Sequence, residues 1–394
     1  MKRAIHMQEV RKMRFKESYD GWQSGRLTQA DAAEILGVCE RSFRRYARNY
    51  EDGGGLEALS DKRLNQPSRR RAPLEEGVAL ANMYRAEFAD FNVRHFHEKY
   101  VKRAGADSAR SYSWVKTVLQ GAQLVKRHKA RGKHRIKRER KPMAGMMIHQ
   151  DASTHRWIAN EVWDLVVTMD DATSEHYDMR FVPQEGTASS LAGMKAVITQ
   201  HGIPSSFYSD RGAHYWSTPK AGGKVDKRNP TQFGVAMRRL GIDMIAAYSP
   251  QARGRSERAF QTHQGRLPQE LAQAKITTME AANAYLKEVY MPEFNQKFSV
   301  LPAETQSAFV PLGTVDVNDI LSEQYERTVG NDNCVAFEGL SLQIPADKHR
   351  HHYVRCKVTV RVSCEGKLSI QHGPRCLARY DREGLIRAEE AQAQ

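Results

Sequence analysis

The sequence predicts a multidomain protein with all-α N-terminal domains, an α/β core and a small C-terminal β-barrel. Three observations carry this. The first 150 residues read as short helices and hold all of the excess positive charge. From residue 144, β-rich runs alternate with helical ones. After residue 331 the pattern turns into short alternating strands. With 394 residues, 40% of them hydrophobic, the chain suffices for two to four domains with real cores, which excludes a wholly disordered protein. No apolar run approaches the ~18 residues of a membrane helix, so no membrane partner is expected. The first twenty residues lack the apolar stretch of a signal peptide. Five cysteines (Cys39, Cys334, Cys356, Cys364, Cys376) are few, odd in number and scattered. That argues for a reducing compartment and against a disulfide scaffold.

Residues 1–150 carry 33 Lys+Arg against 17 Asp+Glu, whereas the remaining 244 carry 28 against 29. A basic N-terminal part on a neutral body points to polyanion binding joined to a second activity. Residues 1–63 make the first expected domain. Within it, TQADAAEILGVCERSFRRYAR (28–48) has Thr28 as a helix cap and an apolar stripe of Ala32, Ala33, Ile35 and Leu36. Gly37 then makes a break, and Val38, Phe43 and Tyr46 form a second stripe. Two short helices about a glycine turn are a helix-turn-helix, whose second helix enters the major groove of double-stranded DNA. That helix would present Arg41, Arg44, Arg45 and Arg48.

Residues 53–73, rich in Gly, Ser, Pro and Arg, read as a linker. Residues 64–128 make a second helical domain, itself a helix-turn-helix in pattern. Its last helix, capped by Ser111 or Ser113, turns Trp114, Val115, Val118 and Leu119 inward and Lys116 outward. KRHKARGKHRIKRERK (126–141) holds ten Lys/Arg and one Glu, and cannot pack a core. It reads as a phosphate-tracking arm around the 129–143 linker, with Lys126, Arg127, Lys129, Arg131, Lys133, Arg135, Lys137 and Arg138 as DNA contacts.

In the core, 144–300, the expected order is two strands, helix, strand, helix, strand and a long helix. Three acids fall at informative places: Asp151 in the first strand, Asp210 at the end of a later one, and Glu257 on the long helix, 59 and 47 residues apart. Carboxylates at strand ends and on an overlying helix can converge at one sheet edge. Once there they need divalent cations to offset their repulsion. Mg²⁺ takes such hard oxygen ligands, and two ions ~4 Å apart serve phosphodiester displacement. Glu270, 13 residues beyond Glu257, lies too far along the helix to share the site.

HQDASTHRW, YSDRGAHY and SPQARGRSERAFQTHQGRL resemble the three catalytic segments of DDE transposases with a retroviral-integrase-type core. The middle one is similar to Ser-Asp-x-Gly-x-x-aromatic and the third to Pro-x-x-x-Gly-x-x-Glu-Arg. The layout looks closest to bacterial insertion sequences of the ISNCY type. The resemblance implies an RNase H-like core fold, with Asp151, Asp210 and Glu257 as catalytic residues and ligands of two Mg²⁺ ions, Mn²⁺ substituting. It also implies cleavage of terminal inverted repeats, joining of 3′ hydroxyls to target DNA, and a homo-oligomer that pairs two ends. A bacterial cytoplasmic location, at the nucleoid when bound, goes with it. It makes Asp170 and Asp171 a structural pair in a turn rather than ligands. The interval from Asp210 to Glu257 is longer than in integrases, and the extra residues fall in the 216–230 loop. Arg253, Arg255 and Arg258 beside Glu257 are candidate phosphate contacts, and Gly254 and Ser256 would let the DNA backbone approach. His149 and His214 flank two of the acids and read as hydrogen-bonded structural histidines.

The last segment, 301–394, is expected to end in the small β-barrel, SH3-like in the manner of integrase relatives. Its Cys and His residues fit no zinc spacing. The rival readings are a nuclease that cleaves without joining and a DNA-binding regulator whose core is catalytically silent.

Overall fold

The structure is a computed structural model and describes residues 2–61, 71–127, 139–158, 161–220, 223–248, 254–313, 316–346 and 349–386. It divides into two compact units, Met1–Met83 and Tyr84–Gln394.

The first unit is built on α1 (Lys2–Gln23), α2 (Gln29–Leu36) and α3 (Glu40–Asn49). The reading of the sequence did not include α1. Its Phe15, Tyr19 and Trp22 recur at helical spacing and pack on Phe43 of α3. Thr28 caps α2 in a reciprocal capping box: Asp31 N–H donates to its hydroxyl at 3.2 Å, and Thr28 N–H donates to the Asp31 carboxylate at 3.0 Å. Gly37 ends α2 at φ 68°, a left-handed conformation that favours glycine. Ile35 departs from expectation. It is 56% exposed, because Ala32, Ala33 and Leu36 alone face α1 and α3. The front of the expected linker is also folded, since Leu56 and Leu59, in a 3₁₀ turn over Gly55–Leu59, cover the same core. Its remainder, 62–70, lies outside the described residues.

A further helix, α4 (Leu74–Glu87), crosses the boundary between the units. Next come α5 (Val93–Ala104), capped by Asn92, and α6 (Tyr112–Gly121), capped by Ser111. Trp114 and Val118 are half-buried beside fully buried Val115 and Leu119, while Lys116 is exposed.

The α/β core holds β1 (Ile148–Ile158), β2 (Glu161–Asp170), β3 (His176–Val182), α7 (Thr187–His201), β4 (Ser206–Ser209), α8 (Gln232–Arg239) and β5 (Asp243–Ala246). Four helices follow: α9 (Gly254–Gln264), α10 (Leu267–Gln273), α11 (Met279–Tyr285) and α12 (Met291–Phe298). The sheet order is β3-β2-β1-β4-β5. The first three strands are antiparallel, whereas β4 runs parallel to β1 and β5 parallel to β4. Two corrections arise. The second β-rich run is two strands, because Asp170 accepts the Thr173 N–H at 2.9 Å and turns the chain at 171–175. The single long helix after Asp210 is α9 and α10, broken at Gly265–Arg266.

One face of the sheet is covered by α7 and α8, with Ile148, Phe207, Leu191 and Phe233 between them. The other carries α9–α12, with Trp157, Leu165, Phe260 and Leu286 between.

The C-terminal part has α13 (Val317–Ile320), β6 (Ser322–Thr328), β7 (Cys334–Phe337), β8 (Leu340–Gln343), β9 (Lys357–Ser363), β10 (Leu368–His372) and β11 (Arg375–Tyr380). The expected barrel is not confirmed here, since no closed barrel is found among the described residues. Among the described residues the strands form an open sheet, β11-β10-β9-β6, and a separate ribbon, β7-β8. Both bury one shared core of Val335, Leu342, Val360 and Ile370, so packing rather than strand closure covers the sheet. The five cysteines are free thiols. Among the described residues no helix is long and apolar enough to cross a membrane.

Candidate active site

Side chains on a strand alternate between its faces. On β1, Ile148 and Gln150 point to α7, where Gln150 donates to the Ser190 carbonyl at 3.2 Å. His149, Asp151, Ser153 and Trp157 therefore point to the α9 face. The β1–β4 register pairs Ile148 with Phe207 and His149 with Tyr208. Two residues further along, the same register sets Asp151 level with Asp210. Adjacent strands lie about 4.8 Å apart. The register thus carries the first two acids to the same level where β4 ends, Asp151 with 8% exposure and Asp210 half-buried. The Asp210 carboxylate is held by the Gly212 N–H at 2.8 Å. A Cβ at Gly212 would lie 3.0 Å from that carboxylate oxygen and 2.9 Å from the His214 ring, so a methyl there would press on both side chains.

Two anchors fix α9 over β1. At its start, Arg255 pairs with Asp171, which also accepts from His149 Nε2 at 2.6 Å. At its end, Gln264 donates to Ser153 at 2.9 Å. Asp151 lies between His149 and Ser153 on the strand, and Glu257 between Arg255 and Gln264 on the helix. The helix and strand thus run alongside each other with Glu257, exposed, on the first turn.

The expected structural role of Asp170 and Asp171 is what the geometry gives. Both are fully buried. Asp170 accepts from the Gly145 and Thr173 amides at 2.9 Å. Burial alone would raise the Asp171 pKa, but His149, the Lys141 amide and Arg255 outweigh it and hold the carboxyl well below its ordinary value. Arg255, expected to contact phosphate, is the correction here. It is 14% exposed and neutralises Asp171, because a buried carboxylate needs a cation. Among the described residues Gly254 has open space where a Cβ would stand, and Ser256 is buried.

Some residues of the site were missed from the sequence. Tyr215 O–H reaches Gln150 Oε1 at 2.9 Å and Glu185 Oε1 at 3.1 Å. Burial first, then the charge of Glu185, with Asp151 contributing, pushes its phenol well above its ordinary value. Glu185 precedes α7 and stands 3.3 Å from His214 Nε2, without hydrogen-bond alignment. Tyr215 lies inside the middle motif and Gln150 beside the first acid, so proximity to the motifs was the available signal. Glu185 carried none.

Asp151 and Asp210 offer the hard oxygen donors that a divalent cation takes one or two at a time, the rest being water. Among the described residues, no three His, Cys, Asp or Glu side chains gather closely enough to hold one metal ion. The donor pair fits such an ion. Glu257 stands directly after 249–253, which lie outside the described residues.

Of the expected DNA contacts, Arg41, Arg44, Arg45 and Arg48 are all exposed on α3, opposite buried Phe43 and Ala47. Lys116, Lys126, Arg127 and Arg258 are exposed too. Lys129, Arg131, Lys133, Arg135, Lys137, Arg138 and Arg253 lie outside the described residues. Glu270 lies on α10, away from the acids. Burial raises its pKa, but His95 and Lys99, each 2.6 Å away, take it down to about 2.

Residues 22–72 match the family model of a helix-turn-helix domain. The chain is 29% identical over 356 residues to a putative transposase, y4bF, of Sinorhizobium fredii (strain NBRC 101917 / NGR234), covering 88% of this chain and 76% of that one. It is 32% identical over 216 residues to the transposase for insertion sequence IS1202 of Streptococcus pneumoniae, covering 55% of this chain and 46% of that one. Among solved structures, a simian T-cell lymphotropic virus intasome in complex with PP2A regulatory subunit B56 gamma is similar over 78% of this chain and 98% of that one, at 12% identity and a TM-score of 0.34. The magnesium complex of the HTLV-2 integrase catalytic core domain, in its dimeric form, covers 41% of this chain and 94% of that one, at 13% identity and a TM-score of 0.31. The fold thus joins a segment that matches a helix-turn-helix domain to an α/β core whose mixed five-stranded sheet carries acids on β1 and at the end of β4. In sequence the chain is similar to these two proteins described as transposases, and it spans about half the length of the second.

Proposed function

We propose that the protein is a DNA transposase that binds the terminal inverted repeats of its own insertion sequence, cleaves the element ends and joins their 3′ hydroxyls to target DNA. The observation that carries this reading is the parallel pairing of β1 with β4, whose register carried forward sets Asp151 level with Asp210, with α9, the helix of Glu257, anchored along β1. The relatedness to transposases supports it.

In this reading Asp151 and Asp210 hold divalent cations at the sheet edge, and Glu257 completes the ligand set from α9. Bound Mg²⁺, two ions with Mn²⁺ able to substitute, would supply Lewis-acid activation of the attacking oxygen and offset charge on the leaving oxygen. Arg258, with Arg253, takes the phosphates beside the acids. Arg41, Arg44, Arg45 and Arg48 read the ends, and the 126–141 arm tracks the intervening backbone. Cleavage hydrolyses one phosphodiester. Joining exchanges one phosphodiester for another, so it needs no nucleotide cofactor. Holding two ends at once calls for two or more copies of the chain. The expected divisions 1–63, 64–128, 129–143, 144–300 and 301–394 describe the division of labour, with 64–128 as a second DNA-contacting segment.

The test is a cleavage and joining assay on labelled DNA carrying the ends that flank the gene, with Mg²⁺, comparing wild type with Asp210→Asn. Cut and joined products from wild type alone are expected. Cutting without joining would favour a nuclease. Tight binding by both proteins without any cut would favour a regulator with a silent core.

A further inference from the structure

We infer that Asp171 is a positioning residue that clamps the strand of the first acid to the helix of the third. The inference rests on the transposase reading for its activity arm, and on geometry for the rest. One carboxylate oxygen of Asp171 receives both His149 Nε2, at 2.6 Å, and the Arg255 guanidinium. His149 precedes Asp151 by two residues on β1, so the two side chains share a face. Arg255 precedes Glu257 by two residues on the first turn of α9. The second carboxylate oxygen takes the Lys141 amide at 2.8 Å, and the Asp171 amide donates to the Met147 carbonyl at 3.0 Å.

Asp171 is thereby joined to three segments: the end of the basic arm, the start of β1, and α9. It is fully buried, whereas Glu257 is exposed. The carboxylate that belongs to no ligand set is therefore the one that fixes the separation between two that do. Arg255 is drawn off the DNA face for the same purpose. Sequence alone presents Asp171 as a turn residue next to Asp170. The structure separates their roles, since Asp170 closes the turn and Asp171 reaches out of it.

The test uses the full chain and the isosteric variant Asp171→Asn, with Arg255→Gln as a second variant that leaves Asp171 held by His149 and Lys141. Two readouts are taken on folded protein, verified by circular dichroism. One is Mn²⁺ affinity without DNA, by titration calorimetry. The other is the kcat and KM of end cleavage. Residues that orient metal-binding side chains alter affinity or activity by about 10- to 100-fold when removed. The expected result is a loss of that size in Mn²⁺ affinity and in kcat, with KM for DNA unchanged. Wild-type Mn²⁺ affinity and kcat in both variants would overturn the inference, whatever their thermal stability. If wild type binds Mn²⁺ but cuts nothing, the transposase reading falls while the affinity arm still decides the clamp. If Asp171→Asn does not fold, Arg255→Gln decides it.

Discussion

Arg266, at the N-terminus of α10, grips Glu98 of α5 through two parallel hydrogen bonds of 2.7 and 2.9 Å. Lys297 of α12 binds the same carboxylate. Beside it, His95 donates Nε2–H to the Glu270 carboxylate, and burial lowers the pKa of its ring. The cap of α5 joins in as well, since Asn92 donates to the Gly265 carbonyl at 2.8 Å. The α5 segment is therefore fastened to α10 and α12 by charge and hydrogen bonds, around a cleft of about 580 Å³.

Removing the acid from this pair leaves a guanidinium that is 8% exposed without its counter-charge. Breaking one side of a buried pair costs about 3 kcal/mol or more. Glu98→Gln should lower the urea midpoint accordingly. Arg266→Met should cost less, because Glu98 keeps Lys297. Equal losses for the two variants would contradict this asymmetry.

A second prediction concerns pH. His176 Nε2 and His263 Nε2 lie 3.0 Å apart, fully buried, and His263 Nδ1 faces Tyr290 O–H at 3.0 Å. Neutral rings satisfy the whole chain: His176 donates Nδ1–H to the Ser174 carbonyl, and His263 donates Nε2–H to His176. Burial takes His176 down from 6.5 to about 4, and burial, then competition with His176 for a proton and the Arg266 charge, lowers His263. A depressed histidine pKa means that the unfolded chain binds more protons. Stability is thus full above pH 6.5 and falls as the pH drops toward about 4. The loss from His176 is of order 3 kcal/mol. Thermal unfolding against pH should show this slope, and the double variant His176→Gln, His263→Gln should flatten it. The carboxylates of Asp171 and Glu270, whose pKa values are depressed, destabilise only below the ordinary carboxylate range and remain in the variant.

Much of this was legible in the sequence, for reasons that differ by element. Thr28, Gly37 and Ser111 act locally, so cap and turn chemistry could be read directly. The parallel neighbours β1 and β4, whose register sets Asp151 level with Asp210, follow the order of elements in which the motifs fall. What escaped depends on partners distant in sequence. Arg255 looked like a phosphate contact because Asp171, 84 residues away, could not be seen as its partner. Glu185 reaches Tyr215 across 30 residues and His214 only through the folded turn. The α1 helix was missed for a related reason, and closure of the C-terminal strands could not be read at all. Alternation in KVTVRVS announces a strand without saying whether the sheet closes. Phe15, Tyr19 and Trp22 lie in a strongly charged stretch that hides their spacing.

Gly212→Ala tests the seat of Asp210. The new methyl would meet the His214 ring at 2.9 Å and the carboxylate oxygen at 3.0 Å, so one of them must move. The contacts ask for a shift of a few tenths of an ångström, short of the ~1 Å misplacement that costs roughly 100-fold in rate. Cleavage should fall by less than that while binding of the ends is retained. Full activity in Gly212→Ala would show that the Asp210 carboxylate has slack.

The last prediction separates reading from tracking in α3. Its four arginines project from the face opposite Phe43 and Ala47, so single Ala substitutions should change stability by no more than about 0.5 kcal/mol. Their effect on DNA should split into two kinds. An arginine that meets a phosphate weakens all sequences alike and lowers the slope of log K against log salt by about 1. An arginine that meets a guanine edge costs about 1–3 kcal/mol on the element end and little on scrambled DNA, with the salt slope nearly kept. Arg45 lies over the Tyr46 ring at 5.4 Å and so is partly held in place. Arg41, Arg44, Arg45 and Arg48 should each be replaced by Ala in the full chain and titrated by fluorescence anisotropy on both DNAs at several salt concentrations. At least one variant should lose end-specific affinity alone. If all four leave both affinity and slope unchanged, α3 is not the helix that meets DNA, and Lys116 on α6 becomes the residue to replace next.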